Sequence, residues 1–247
     1  MCRSRKRGIS VAALLTISGL TKRFDGLVAN SDINMEIDAG QIVGLIGPNG
    51  AGKTTLFNCI AGYYPPSSGH IVFRGENIVG LTPELIAARG IARTFQIVRV
   101  FASLTVLENV MVGAMLHTKS VAAAATKALD ILRFVGLARS TSRVASAITV
   151  AEQKRLEVAR GLALDPSLII LDEVMAGLNA VEVKAAVELV KRIRDRGIAC
   201  LVVEHVMEGI MPIADRMVVL DYGKKIAEGT PSEIAADPAV IAAYLGA

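Results

Sequence analysis

The sequence predicts an α/β fold interrupted by a helical insertion, and three stretches carry that expectation. The first is Gly47-Pro48-Asn49-Gly50-Ala51-Gly52-Lys53-Thr54-Thr55, which fits the GxxxxGKT phosphate-binding loop and follows the apolar run from Gln41 to Ile46. The second is Leu168-Ile169-Ile170-Leu171, a continuous apolar run suited to a parallel strand covered on both faces, which ends in Asp172-Glu173. The third is the block from Ile97 to Leu164, where helical patterns replace the α/β alternation before it resumes at Asp165-Pro166.

A length of 247 residues suits one α/β domain with a sizeable insertion. Hydrophobic residues make up 52%, yet no apolar run reaches the roughly 18 residues that would span a bilayer. The net charge of +4 is mild, and Arg3, Arg5, Lys6 and Arg7 supply much of the excess, so no basic stripe points to nucleic acid. That basic cluster before Ile9 to Leu20 superficially resembles a signal peptide, but no convincing cleavage site follows, and a basic tail over 1–13 is expected instead. Cys2, Cys59 and Cys200 lack metal-ligand spacing and read as inert thiols in a reducing cytosol.

In order along the chain, Leu14 to Ser18 and Leu27 to Ile37 read as strands, with Phe24 on a loop between them. A ring there could stack on a purine, although its spacing alone favours core packing. Thr54 to Gly62 is a short helix closed by glycine, Tyr63 to Gly69 a turn, and His70 to Phe73 with Glu76 to Val79 a hairpin around Arg74-Gly75. Pro83 opens a helix ending at Gly90 and leading into Ile91 to Gln96. Helices are expected over Thr105 to Leu116, Val121 to Val135 and Ala151 to Leu164. Val181 to Asp195 is amphipathic, with Glu188 and Arg192 at helical-pair spacing. Ile198 to Val203 is another buried strand ending in Glu204-His205; Arg216 to Leu220 and Lys224 to Glu228 close the sheet, and Asp237-Pro238 caps a last helix.

The loop's glycines leave backbone N–H groups free to converge, and the following helix N-terminus favours negative charge, which together make a polyphosphate pocket. Lys53 can reach the β- and γ-phosphates, the Thr54 hydroxyl can complete a Mg²⁺ shell, and Thr55 is placed for the α-phosphate. At the carboxyl end of what is expected to be a neighbouring strand, Asp172 can hold Mg²⁺ through water and Glu173 can act as general base for the attacking water. Gln96 offers an amide for Mg²⁺ or water, and His205 a contact to the γ-phosphate; taken singly, each is more simply a structural residue.

Taken together, these features resemble the ATP-binding subunit of an ABC transporter, from about Leu14 to Leu245. Gly47 to Thr55 matches the Walker A loop, Gln96 the Q-loop, Leu168 to Glu173 the Walker B strand with its catalytic glutamate, and His205 the switch histidine. Phe24 falls where the family has its adenine-stacking aromatic, which reverses the core-packing expectation. The signature LSGGQ corresponds to Ile148-Thr149-Val150-Ala151-Glu152, a poor match whose register is fixed by Lys154 to Arg160. Glu152 adds a carboxylate where two subunits close head to tail on a γ-phosphate, but Thr149-Val150-Ala151-Glu152 also fits a capping box. Val174 stands where proline is usual and Asn179 where aspartate is common.

The resemblance implies a P-loop NTPase (RecA-like) core over 14–96 and 165–247, with an antiparallel β subdomain and an α-helical subdomain inserted over 97–164. It also implies a Mg²⁺-dependent ATPase using Glu173, His205, Gln96 and Lys53. The implied partners are a second ATP-binding subunit, transmembrane permease subunits and, indirectly, an extracytoplasmic substrate-binding protein. The implied location is cytoplasmic, on the inner face of the membrane. Arg93 to Gln96, Thr105 to Val110, Ala176 to Asn179 and Val240 to Gly246 resemble subunits of branched-chain amino-acid importers. The alternative is a soluble ATPase of the same family acting mechanically, but neither a second cassette nor a long coiled coil is apparent.

Overall fold

The computed structural model describes residues 13–94, 100–205 and 207–245. In chain order the strands are β1 (Leu15–Phe24), β2 (Leu27–Ile37), β3 (Ile42–Ile46), β4 (Ser68–Phe73), β5 (Glu76–Asn77), β6 (Ile91–Arg93), β7 (Leu168–Asp172), β8 (Ala199–Val203), β9 (Arg216–Asp221) and β10 (Lys224–Gly229). The helices are α1 (Lys53–Ile60), α2 (Pro83–Ala88), α3 (Val106–Ala114), α4 (Val121–Phe134), α5 (Val150–Leu162), α6 (Ala180–Arg194), α7 (Met207–Ile210), α8 (Pro231–Ala236) and α9 (Pro238–Leu245).

The strands form two sheets. One, ordered β10-β9-β3-β8-β7-β6, is parallel except for the β9–β10 hairpin. The other, β2-β1-β4-β5, is antiparallel throughout.

Successive side chains of a strand point to opposite faces, so the continuous apolar runs of β3, β7 and β8 feed two separate cores. Ile42, Ile46, Ile169, Leu171, Cys200 and Val202 face a layer that includes Val106 and Val110 of α3, Leu156 of α5 and Leu189 and Ile193 of α6. Val43, Leu45, Leu168, Ile170 and Leu201 face Leu56, Phe57 and Ile60 of α1, together with Leu15, Ile17, Ile33 and Ile71 of the antiparallel sheet. Each fully buried side chain of this size contributes about 1.5–3 kcal/mol.

Between β6 and β7 the chain forms α3, α4 and α5. The start of this segment is held by Asn109, which is fully buried. Its Oδ1 accepts from the Phe101 N–H at 2.8 Å, and its Nδ2 donates to the Phe101 and Thr105 carbonyls at 3.0 and 2.9 Å.

Several expectations change. Phe24 is not on a loop but ends β1, paired with Leu27. Glu188 pairs with Lys191 at 2.8 Å, while the Arg192 guanidinium lies 4.4 Å from the centre of the Phe134 ring. The reason is that the i,i+3 lysine reaches Glu188 while an apolar face draws Arg192 away. β7 is not the neighbour of β3, because β8 lies between them. Helices α7 and α8 were not anticipated, although Thr230-Pro231-Ser232-Glu233 forms a capping box with proline in the first turn, a signal legible in sequence. Gln96 and residues 1–12 of the basic tail lie outside the described residues.

Replacing Asn109 with Ala leaves the Phe101 N–H without its acceptor and removes the Nδ2 bonds, while the Phe101 and Thr105 carbonyls keep the Leu104 and Asn109 N–H groups as donors. A loss of about 1–3 kcal/mol is expected, measured as a lower urea midpoint.

Candidate functional site

The loop between β3 and α1 is shaped by close approach. Gly47 adopts φ 146°, and a Cβ there would lie 2.1 Å from the Leu220 carbonyl oxygen. Gly52 adopts φ 97°, and its Cβ would meet the Ala29 carbonyl at 2.5 Å. Both positions require glycine on two counts, conformation and space. The Asn30 amide donates to the Gly52 carbonyl at 3.2 Å, and the Gly223 N–H donates to the Ala51 carbonyl at 3.1 Å. The loop is therefore pinned between β2 and the β9–β10 turn.

Helix α1 begins at Lys53 with Gly52 as its cap, no capping side chain and no acid in its first turn. By contrast, α3, α5, α6 and α8 each carry a complete capping box. The N-terminus of α1 thus keeps its N–H groups and positive dipole end for an anion. Pro48 is half-buried, Asn49, Gly50 and Thr54 are exposed, and Thr55 is half-exposed. The Lys53 ammonium donates to the Gly47 and Pro48 carbonyls at 2.6 and 2.9 Å. Burial pulls its pKa down, and the charges of Glu173 and Asp172 oppose that fall.

Those carboxylates arrive from β7. Asp172 is level with Val203 of β8, which is level with Leu45 of β3, so the acids lie two strand spacings, roughly 10 Å, from the start of the loop. Asp172 is only 5% exposed, and burial pushes its pKa up to about 6, with Arg93 opposing the rise and Glu173 adding to it. Its N–H donates to the Thr94 hydroxyl at 3.0 Å. Glu173 turns out of the strand in a left-handed conformation, φ 49°, with its N–H bonded to the Val203 carbonyl at 2.9 Å. His205 Nδ1 stands 3.6 Å from Glu173 Oε1.

Two residues at this edge were not singled out for the site by sequence reasoning. Arg93 lies over the Phe57 and Tyr63 rings at 4.6 and 4.7 Å while acting on Asp172, and Thr94 is fully buried behind the strand end. Their place in the Arg93-Thr94-Phe95-Gln96 stretch, beside Gln96, was the available signal.

Phe24 is 36% exposed, which overturns the core packing that spacing suggested. Its ring meets Tyr64 edge-on at 5.2 Å, under the Lys22 ammonium at 4.8 Å. Phe24 and Tyr64 are both exposed.

At the start of α5, Thr149 accepts from the Glu152 N–H at 3.2 Å, and Glu152 accepts from the Thr149 N–H at 3.0 Å. Glu152 also receives the Ser140 hydroxyl at 2.8 Å and pairs with Arg143 at 3.7 Å. The Thr149 N–H bond is the largest influence holding its pKa below the ordinary range. Val150 projects into solvent, and Ala151 is buried. Among the described residues no group of three or more His, Cys, Asp or Glu could hold a metal, and no helix is long and apolar enough to cross a membrane.

Comparison with known proteins is consistent across the chain. A family model described as ABC transporter matches residues 30–176, and one described as branched-chain amino acid ATP-binding cassette transporter matches residues 224–247. The chain is 42% identical to the Escherichia coli (strain K12) high-affinity branched-chain amino acid transport ATP-binding protein LivG, over 94% of this chain and 98% of that protein. It is 39% identical to the Pseudomonas aeruginosa counterpart BraF, with the same coverage. Among solved structures, MJ1267, an ATP-binding cassette of an ABC transporter in its ADP conformation, superimposes with a TM-score of 0.87 at 28% identity, covering 96% of this chain and all of that one.

In the metal-free protein, the Asp172 carboxyl holds its proton in the folded state between its ordinary 3.8 and about 6, where the unfolded chain has lost it. Stability therefore falls as pH rises through that window and stays reduced above it. Asp172→Asn is expected to raise stability by roughly 1–2 kcal/mol at about pH 7.5, a gap that closes toward about pH 4 in urea titrations.

Proposed function

The chain belongs to the ABC transporter family of ATP-binding subunits, and from that premise we propose that it binds and hydrolyses MgATP to drive import of branched-chain or related amino acids. The observation that carries the reading is the sharing of one ammonium. Lys53 is anchored on the loop's own carbonyls and also feels both acids at the end of β7. A triphosphate laid along the uncapped N-terminus of α1 meets Lys53 at its γ end, next to Glu173.

The donor set suits Mg²⁺, which favours one or two hard oxygen ligands from protein with phosphate and water completing the shell. Thr54 supplies a hydroxyl and Asp172 a carboxylate, with Gln96 a third candidate. When bound, the ion neutralises charge on the β- and γ-phosphate oxygens. Glu173 takes the proton from the attacking water, His205 holds the γ-phosphate end of the site, and Lys53 offsets the charge that builds there. Phe24, with Tyr64 beside it, is the platform for the adenine.

The chain carries one phosphate loop and one signature segment, so two ATP-binding subunits pair head to tail. The α5 N-terminus, Thr149 to Glu152, faces the partner's nucleotide. Because Glu152 is held by Thr149, Ser140 and Arg143, that N-terminus is already capped and carries a negative charge, which weakens its hold on a γ-phosphate. A partner subunit with a better signature then completes the stronger site.

A groove between α2, β6, α3 and α5 is lined by Tyr63, Val112, Met115, Leu116 and Arg160, with several apolar side chains exposed. This surface is the proposed contact with transmembrane permease subunits; the placement of the ATPase on the cytoplasmic face and an extracytoplasmic binding protein delivering substrate rest on family membership alone. The amino-acid class follows the relatives' activities and the match over 224–247.

Glu173→Gln is expected to lower turnover roughly 10²- to 10⁴-fold with MgATP affinity preserved; unchanged turnover removes Glu173 from the base role. Glu152→Gln is expected to raise the turnover of the isolated homodimer about 2- to 10-fold, since it removes a charge worth about 1 kcal/mol at a solvated γ-phosphate; equal rates in the two proteins count against a weakened signature. Affinity capture of the tagged chain from detergent-solubilised membranes is expected to bring down a polytopic membrane protein.

A further inference from the structure

The turn that follows β7, Glu173-Val174-Met175-Ala176, is held by two charged side chains from other elements. Lys154, in the second turn of α5, donates to the Glu173 carbonyl at 2.8 Å and to the Ala176 carbonyl at 2.6 Å. Glu204, fully buried just past β8, accepts from the Met175 N–H at 2.7 Å. Three backbone groups of one four-residue turn are thereby fixed from two sides.

The arrangement is costly. Glu173 sits in a left-handed conformation that a non-glycine residue adopts at about 1–2 kcal/mol. Burial of the Lys154 ammonium disfavours its charge, against which Glu204, Glu173 and Glu157 act. An apolar side chain would fill the same space without that desolvation. What it would not supply is a pair of charge-assisted hydrogen bonds setting the backbone from which the Glu173 carboxylate departs.

The two holding residues also have telling neighbours. Glu204 precedes His205, whose ring stands beside the Glu173 carboxylate. Lys154 lies five residues along a rigid helix from Thr149, the cap of α5, a separation of roughly 7–8 Å.

We propose that Lys154 is a positioning residue for ATP hydrolysis, which fixes the Glu173 carboxylate in cis and ties it to the α5 N-terminus that meets the partner's nucleotide. The inference rests on the reading of Glu173 as general base. Displacement of α5 when the dimer closes then moves the Glu173 turn of the same chain, so the state of one ATP site reaches the other through a single side chain.

The test compares Lys154→Met, Lys154→Arg and Glu173→Gln, with Lys154→Met/Glu173→Gln as the double variant, in the full-length ATPase dimer with MgATP. Lys154→Met is expected to lower kcat about 10- to 100-fold, the scale of a small misplacement of a reacting group, with ATP affinity changed less than about 3-fold. Lys154→Arg is expected to recover most of the rate, because it keeps a charged donor. The double variant is expected to be no slower than Glu173→Gln alone, since Lys154 acts only through that carboxylate. If Lys154→Met does not fold, Lys154→Gln replaces it in the same comparison.

Wild-type kcat in Lys154→Met, or a loss in the double variant that multiplies the two single losses, overturns the positioning role while leaving the base assignment intact. Unchanged turnover in Glu173→Gln overturns the base assignment, and this inference with it.

Discussion

The close approach of three backbone segments governs this molecule. The phosphate loop touches β2 through Gly52, β9 through Gly47, which lies against the Leu220 carbonyl, and the β9–β10 turn through the Gly223 N–H. The contacts are backbone to backbone, so no side chain can be inserted without displacing a strand. The Ser31 N–H donates to the Gly223 carbonyl at 2.8 Å, which joins the antiparallel sheet to the same cluster. These contacts hold the loop's shape from the protein side, which is the condition for backbone amides to act as a preorganised site.

Helix N-termini show how the chain separates structural from functional polarity. Four helices satisfy their own first turns with Thr or Asn and a glutamate three residues on. α1 does neither, and it follows β3, which β8 separates from the acids that end β7. The contrast with α5 is informative, because a capping box stabilises a helix end by about 1 kcal/mol and at the same time consumes the donors that would grip a phosphate. In Glu152 the stability of a helix and the quality of a composite site pull in opposite directions.

The two cores of the parallel sheet give the site its stiffness. β3, β7 and β8 are clamped on one face by the α1 layer and on the other by the layer containing α3, α5 and α6. Residues at their carboxyl ends, Asp172, Glu173, Glu204 and His205, are thus presented from strands with little freedom to shift. That rigidity lets a carboxylate about 5% exposed keep a raised pKa instead of relaxing toward water.

By itself the sequence determined whatever depends on near neighbours in the chain. The GxxxxGKT loop, the apolar runs of β3, β7 and β8, the Arg74-Gly75 hairpin and the Thr149–Glu152 capping box all express periodicity or bonding within a few residues, and they were legible as such. Contacts between distant segments were not. Nothing local says that β8 separates β3 from β7, that Arg93 lies between Phe57 and Tyr63 while acting on Asp172, or that Lys154 reaches across to the Glu173 turn. Phe24 makes the same point, since its spacing suggests core, the family resemblance suggests a stacking ring, and the fold leaves it exposed beside Tyr64. Periodicity encodes which face of an element is apolar, whereas strand order and long side-chain reach are settled only when the whole core closes, because that is when distant charges share one low-dielectric interior.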